Sequence, residues 1–211
     1  MVDFQHGVQG RRVIDRFDGV ISGLGTPAGL RVVVGHWPRS PLGSFTDVMV
    51  ERPDGHRLLL APSEPVAEFV TATYTFDEVV LGPVDHVERG NRRQVTAGPL
   101  ECAWTVGGRA ALGLLLRAVP GPLQTNRRWV AALDVVARLV LPGVRTVGSA
   151  GQGRREYYCA RDLHRITDAV VRWEGVDQGG PARVEPPVRF GFGSTPAAPG
   201  HTRITTLVER R

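Results

Sequence analysis

The side chains able to do chemistry in this chain are six histidines (His6, His36, His56, His86, His164, His201), two cysteines and 21 acidic residues, set against 26 basic residues that are all arginine. The lack of lysine excludes Schiff-base catalysis, a phosphate-loop lysine and a lysine general base, because arginine does not deprotonate to replace them. The histidines show no HExxH-type spacing, and His86-Val87-Glu88 lacks the PCxxC partner of a zinc deaminase. No metal site and no cofactor is therefore expected. Gly191-Phe192-Gly193-Ser194 lacks the closing glycine of a nucleophile elbow, and the glycines at 23, 25 and 29 precede a strand rather than a phosphate-binding helix.

A pattern of alternation remains. Along 155–163 one face carries Arg155, Tyr157, Cys159 and Arg161, and the other carries Glu156, Tyr158, Ala160 and Asp162. The stretch 165–174 and the first strand mix charge and apolar residues in the same way. Charges on both faces of a packed strand are costly unless paired. They are comfortable where one face lines a partly polar cavity, and equally so on an edge strand with water on both sides. The cavity reading makes His36, Trp37, Arg39, Tyr157, Arg161 and Trp173 the candidate ligand-binding residues. Arginine would grip a carboxylate or phosphate in two-pronged fashion, and the aromatics would supply rigid apolar walls. The expected ligand is small, partly apolar and anionic.

Two other readings stay open. An enzyme would use the same cavity with His36 or His164 as general base and Asp47 or Glu101 orienting it. An interaction protein would form a homodimer through helices near 109–141, and an exposed apolar patch there would favour it.

The elements that must position these residues are mostly strands. Short β-branched and apolar runs recur from 31 to 106, and Pro53-Asp54-Gly55 between 45–52 and 56–60 is a hairpin turn. Ser63, Glu64 and Pro65 open a short helix through 74, with Val66, Phe69, Val70 and Thr73 at helical spacing. Gly90-Asn91 reads as a hairpin tip. Two central helices follow, at about 109–119 and 126–141, punctuated by Pro120-Gly121-Pro122 and Pro142-Gly143. In the second, Arg127, Asp134 and Arg138 form a narrow polar stripe opposite Trp129, Val130, Leu133, Val136, Ala137 and Val140, so the apolar side is expected to pack on the sheet. Strands return at 144–147, 155–163, 165–174 and 202–209, with a glycine-rich loop at 148–153. The fold class expected is α+β, mainly β: a curved antiparallel sheet or barrel with the two central helices packed on it.

Composition agrees. The 211 residues, 42% hydrophobic and 22% charged, suit one globular domain, 1–211, and 26 glycines and 16 prolines imply many turns. The arginines are dispersed in runs no longer than two, so no specific nucleic-acid binding is expected despite a net charge of +5. Cys102 and Cys159 form no CxxC pair and no secretory leader precedes them, which points to two reduced, buried thiols in a cytoplasmic protein. No apolar stretch reaches the length of a membrane span.

Two stretches resemble known barrels. Gly35-His36-Trp37 resembles the GxW of lipocalin-like calycins, whose cavities hold apolar ligands. The stretch 40–48 (Ser-Pro-Leu-Gly-Ser-Phe-Thr-Asp-Val) resembles a strand start in acetoacetate-decarboxylase-like barrels. That resemblance implies a barrel fold, without the decarboxylase chemistry, since the family's Schiff-base lysine has no counterpart here. The rest of the chain resembles actinobacterial proteins.

Overall fold

The computed structural model describes residues 13–140, 145–150, 154–191 and 195–210. Their strands are β1 (Val13–Gly25), β2 (Arg31–Arg39), β3 (Phe45–Glu51), β4 (Arg57–Ala61), β5 (Glu78–Leu81), β6 (Val84–Arg89), β7 (Arg92–Ala97), β8 (Leu100–Arg109), β9 (Val147–Ala150), β10 (Arg154–Trp173), β11 (Val176–Asp177) and β12 (Gly200–Arg210). The helices are α1 (Glu64–Thr71), α2 (Ala111–Ala118), the short α3 (Gly121–Gln124) and α4 (Arg127–Val140). One sheet runs β5-β4-β3-β2-β1-β12-β10-β8-β7-β6, with β9 and β11 alongside β10. Every pairing is antiparallel except β4 with β5, which α1 connects. The fold is thus mainly β with helices packed against a curled half-barrel, as the patterning predicts.

Curling turns β2 and β3 toward β7, β8 and β10. Val34, Val48, Val95, Leu100, Trp104 and Val171 meet in the main core, each no more than 2% exposed. The predicted hairpin forms: Gly55 takes a φ of +88°, which its missing Cβ permits, and its N–H donates to the Arg52 carbonyl at 2.9 Å. α1 falls inside the predicted 63–74 and buries Val66, Ala67 and Val70.

Three local expectations change. The two strands expected at 155–163 and 165–174 are one strand of 20 residues, β10. Its register slips between Ala160 and Asp162, and twice more between His164 and Asp168. An extra residue in β10 exchanges the faces of those that follow, so the mixing along 165–174 reflects bulges, whereas 155–160 run in regular register with β12. Residues 147–150, which join the end of the expected strand 144–147 to the start of the expected glycine loop, form β9 and pair with the start of β10.

The third change concerns α4, where Arg127 and Asp134 of the expected polar stripe face the protein. Asp134 is 4% exposed and accepts hydrogen bonds from the Thr146 N–H (2.7 Å) and the Val147 N–H (3.2 Å). Arg127 reaches Glu209 at 3.3 Å, and Val130, between these two, is buried against Tyr157, Cys159 and Leu207. Trp129, assigned to the inward side, is 37% exposed. Free backbone donors at the start of β9 need an acceptor, and Asp134 satisfies them where an apolar residue would not. The expectation for Leu133, with those for Val136, Ala137 and Val140, concerns side chains outside the described residues.

Cys102 and Cys159 are free and buried, and burial pushes their thiols up to about 12 and about 11. Native protein should resist thiol-labelling reagents that modify both residues after denaturation. Rapid labelling of both native thiols would contradict this packing. Among the described residues no helix is long and apolar enough to cross a membrane.

Candidate functional site

Between α1 and the sheet lies a cavity of about 50 Å³. β1 contributes Phe17 and Ile21, β2 contributes Val33, Gly35 and Trp37, and β3 contributes Phe45, Asp47 and Met49. Phe69, Val70, Thr73 and Tyr74 come from α1 and the residues after it, and β10 and β12 add Glu156, Tyr158 and Thr206. Strand alternation explains the set: residues two apart on β2, β3 and β10 point to the same side. Among the described residues that line it, six are aromatic, two are acidic and none is basic.

Asp47 is the chemical centre. It is 2% exposed, and its Oδ1 accepts the Trp37 indole N–H at 3.0 Å. Burial raises its carboxyl to about 7, against the opposing pull of the Trp37 and backbone N–H groups. Gly35 makes the pair possible. A Cβ there would stand 2.7 Å from both Asp47 Oδ1 and Trp37 Nε1, closer than real contacts allow. The glycine of Gly35-His36-Trp37 is thus required by close approach.

Opposite stands Glu156, 2% exposed, which accepts the hydroxyls of Thr73 at 2.8 Å and Tyr158 at 3.3 Å. Burial, with the Asp47 charge second, holds the Tyr158 phenol well above its ordinary value, so it stays protonated. Thr206 is 6% exposed and its hydroxyl has no partner among the described residues. A buried polar atom in a cavity wall without a partner is an open valence for water or ligand. The arrangement offers one carboxyl that exchanges a proton near neutrality, a second acceptor and an aromatic surround.

Of the six residues expected to bind ligand, Trp37 alone lines this cavity. His36, on the opposite face of β2, stacks on His86 with ring centroids 4.1 Å apart and pairs with the Thr46 hydroxyl at 2.8 Å. Arg39 and Arg161 turn to Asp18, at 4.0 and 3.9 Å. Tyr157 is buried on the α4 side of β10, and Trp173 packs at the edge of the main core, paired with Leu100. The arginine lining expected from the alternation is absent because the cavity meets the Glu156–Tyr158 face of β10, whereas Arg161 turns to Asp18 on the Cys159 side. The expected base–acid pairs do not meet at the cavity either. His36 and Asp47 point to opposite sides, His164 bonds the Gly107 carbonyl at 3.0 Å, and Glu101 is solvent-exposed.

Glu156, Tyr158 and Thr206 are the site residues that sequence reasoning missed. For Glu156 the signal was an acid two places from an aromatic residue on one strand face, as Asp47 stands beside Phe45.

No protein-family model and no curated protein matches this sequence. Among solved structures, the chain is similar to acetoacetate decarboxylase from Legionella pneumophila, at 10% identity over 92% of this chain and 84% of that one, with a TM-score of 0.43. It is also similar to a protein from Nitrosomonas europaea provisionally named AttH, at 13% identity over 93% of this chain and 50% of that one, with a TM-score of 0.33. The chain therefore spans about half the length of the second protein.

Proposed function

We propose that this protein binds a small organic cation, an alkylammonium group, in the cavity beneath α1. The supporting observation is the lining itself: six aromatic residues and two buried carboxyls with no basic residue among them. Aromatic faces attract cationic ammonium groups, most strongly when water is excluded, and a carboxylate supplies the counter-charge. An anionic ligand would face the Asp47 and Glu156 carboxyls, so the anion expected of an arginine-lined cavity gives way here to a cation. Drug-sized ligands occupy roughly 300–1,000 Å³. A cavity of about 50 Å³ suits a single small headgroup.

Calorimetric titration with tetramethylammonium and n-propylammonium, beside propionate as an anion of similar size, tests the reading. We expect the ammonium ions to bind and propionate not to. Affinity should rise with pH up to about 7, by up to about tenfold per unit, because the cation selects the ionised Asp47 carboxyl and displaces its proton. Asp47→Asn should remove both the affinity and its pH dependence. Equal binding of propionate, or affinity that falls as pH rises, would overturn the proposal.

The Asp47 carboxyl also supports a second reading, an enzyme in which Asp47 rather than a histidine is the general base, since a group near 7 is matched to proton transfer at neutral pH. Turnover of a bound amine, lost in Asp47→Asn, would separate that reading from simple binding. Homodimerisation through α2 stands as a further proposal, supported by Leu114 and Leu115, 60% and 68% exposed. A sizing measurement at the monomer mass would refute it.

A further inference from the structure

On the other face of β2 from the cavity, His36 meets β6. His36, His86 and Glu88 each offer a ligand atom, and these atoms all lie within 4.8 Å of one another. We propose that these three side chains bind a divalent transition-metal ion, Zn²⁺ being the ion that two imidazoles and a carboxylate suit, with the remaining positions open to water.

The geometry argues for this in three steps. His86 and Glu88 stand two apart on β6, so strand alternation sends both to the same side. The His36 Nδ1 is held by the Thr46 hydroxyl at 2.8 Å, which fixes the ring and leaves Nε2 as the donor, the outer support that ligating histidines ordinarily have. The His36 and His86 rings lie against each other with centroids 4.1 Å apart, which holds the β6 ligand beside the β2 one.

Arg93 is the competitor, with its Nε 3.1 Å from Glu88 Oε1. An ion binds either by displacing it or by taking Oε2 while Arg93 keeps Oε1 and orients the carboxylate. β6 ends the strand order and β2 belongs to the opposite half of the sheet, so a shared ion would tie the two halves of the half-barrel together.

The test uses the full chain, freed of metal by a chelator and titrated calorimetrically with Zn²⁺, with thermal unfolding followed in parallel. We expect one ion per chain and a higher unfolding temperature in its presence. Titration with Co²⁺ should develop d–d absorption of a four- or five-coordinate site. His36→Gln and Glu88→Gln should each weaken Zn²⁺ affinity at least tenfold. Glu88 has a side chain 46% exposed, so Glu88→Gln should fold normally and decides the matter alone if the histidine variant does not. The absence of saturable binding, or unchanged affinity in Glu88→Gln, would overturn the proposal.

Discussion

Replacing Asp47 by asparagine is expected to stabilise the protein at pH 8 by up to about 4 kcal/mol while leaving it unchanged near pH 3. The folded carboxyl titrates at about 7, against 3.8 for an ordinary aspartate. Each pH unit between those values carries about 1.4 kcal/mol. Within that window the unfolded chain has released this proton and the folded chain still holds it. The folded state therefore binds more protons, and the contribution of Asp47 to stability falls as pH rises, reaching its full cost above about 7. Asparagine keeps an oxygen for the Trp37 N–H and never ionises, so that cost disappears.

His86 and His201 act in the opposite sense in nearly the same window. Burial lowers both to about 4, so the stability they contribute is present above 6.5 and is lost as pH falls toward 4. The wild-type curve alone therefore does not isolate Asp47. The difference between wild type and Asp47→Asn, from urea denaturation at several pH values, does. A difference that stays constant between pH 4 and 8 would contradict an Asp47 buried and protonated as described.

The second large effect is expected at Glu51, which is fully buried. It pairs with Arg31, 3% exposed, at 3.3 Å, and accepts both the Arg189 backbone N–H at 2.7 Å and its side-chain Nε at 3.0 Å. Arg31 in turn donates to the carbonyls of Pro186 and Arg52. This knot ties residues 186–190 to β3 and holds Val188 and Phe190 in their core with Val33. Glu51→Ala leaves the Arg31 guanidinium buried without its counter-charge, a change that costs about 3–5 kcal/mol. Denaturation should show that loss, and hydrogen exchange should show the Arg189 amide exposed. A loss below about 1 kcal/mol would mean that the pair contributes little net energy.

Glu51 also shows where local reading ends. Its strand, its hairpin and Gly55 were legible from the period-two pattern and the turn residues. That its charge meets Arg189, 138 residues away, was not.

The sequence by itself determined the class of fold, because alternation, glycine–proline punctuation and two helical periods act over a few residues. It also determined the removal of lysine chemistry. Trp37 and Asp47 were each conspicuous in their own strand, and the structure brings them together. Tertiary structure alone decided their company. The packing of α1 on one side of the sheet and α4 on the other decides that Glu156 and Tyr158, rather than Tyr157 and Arg161, face the cavity, and alternation alone does not say which face meets which helix. The curl of the sheet decides that His36 meets His86, 50 residues away. Side-chain direction along a strand is a local property, whereas the partner found in that direction depends on how distant strands are joined.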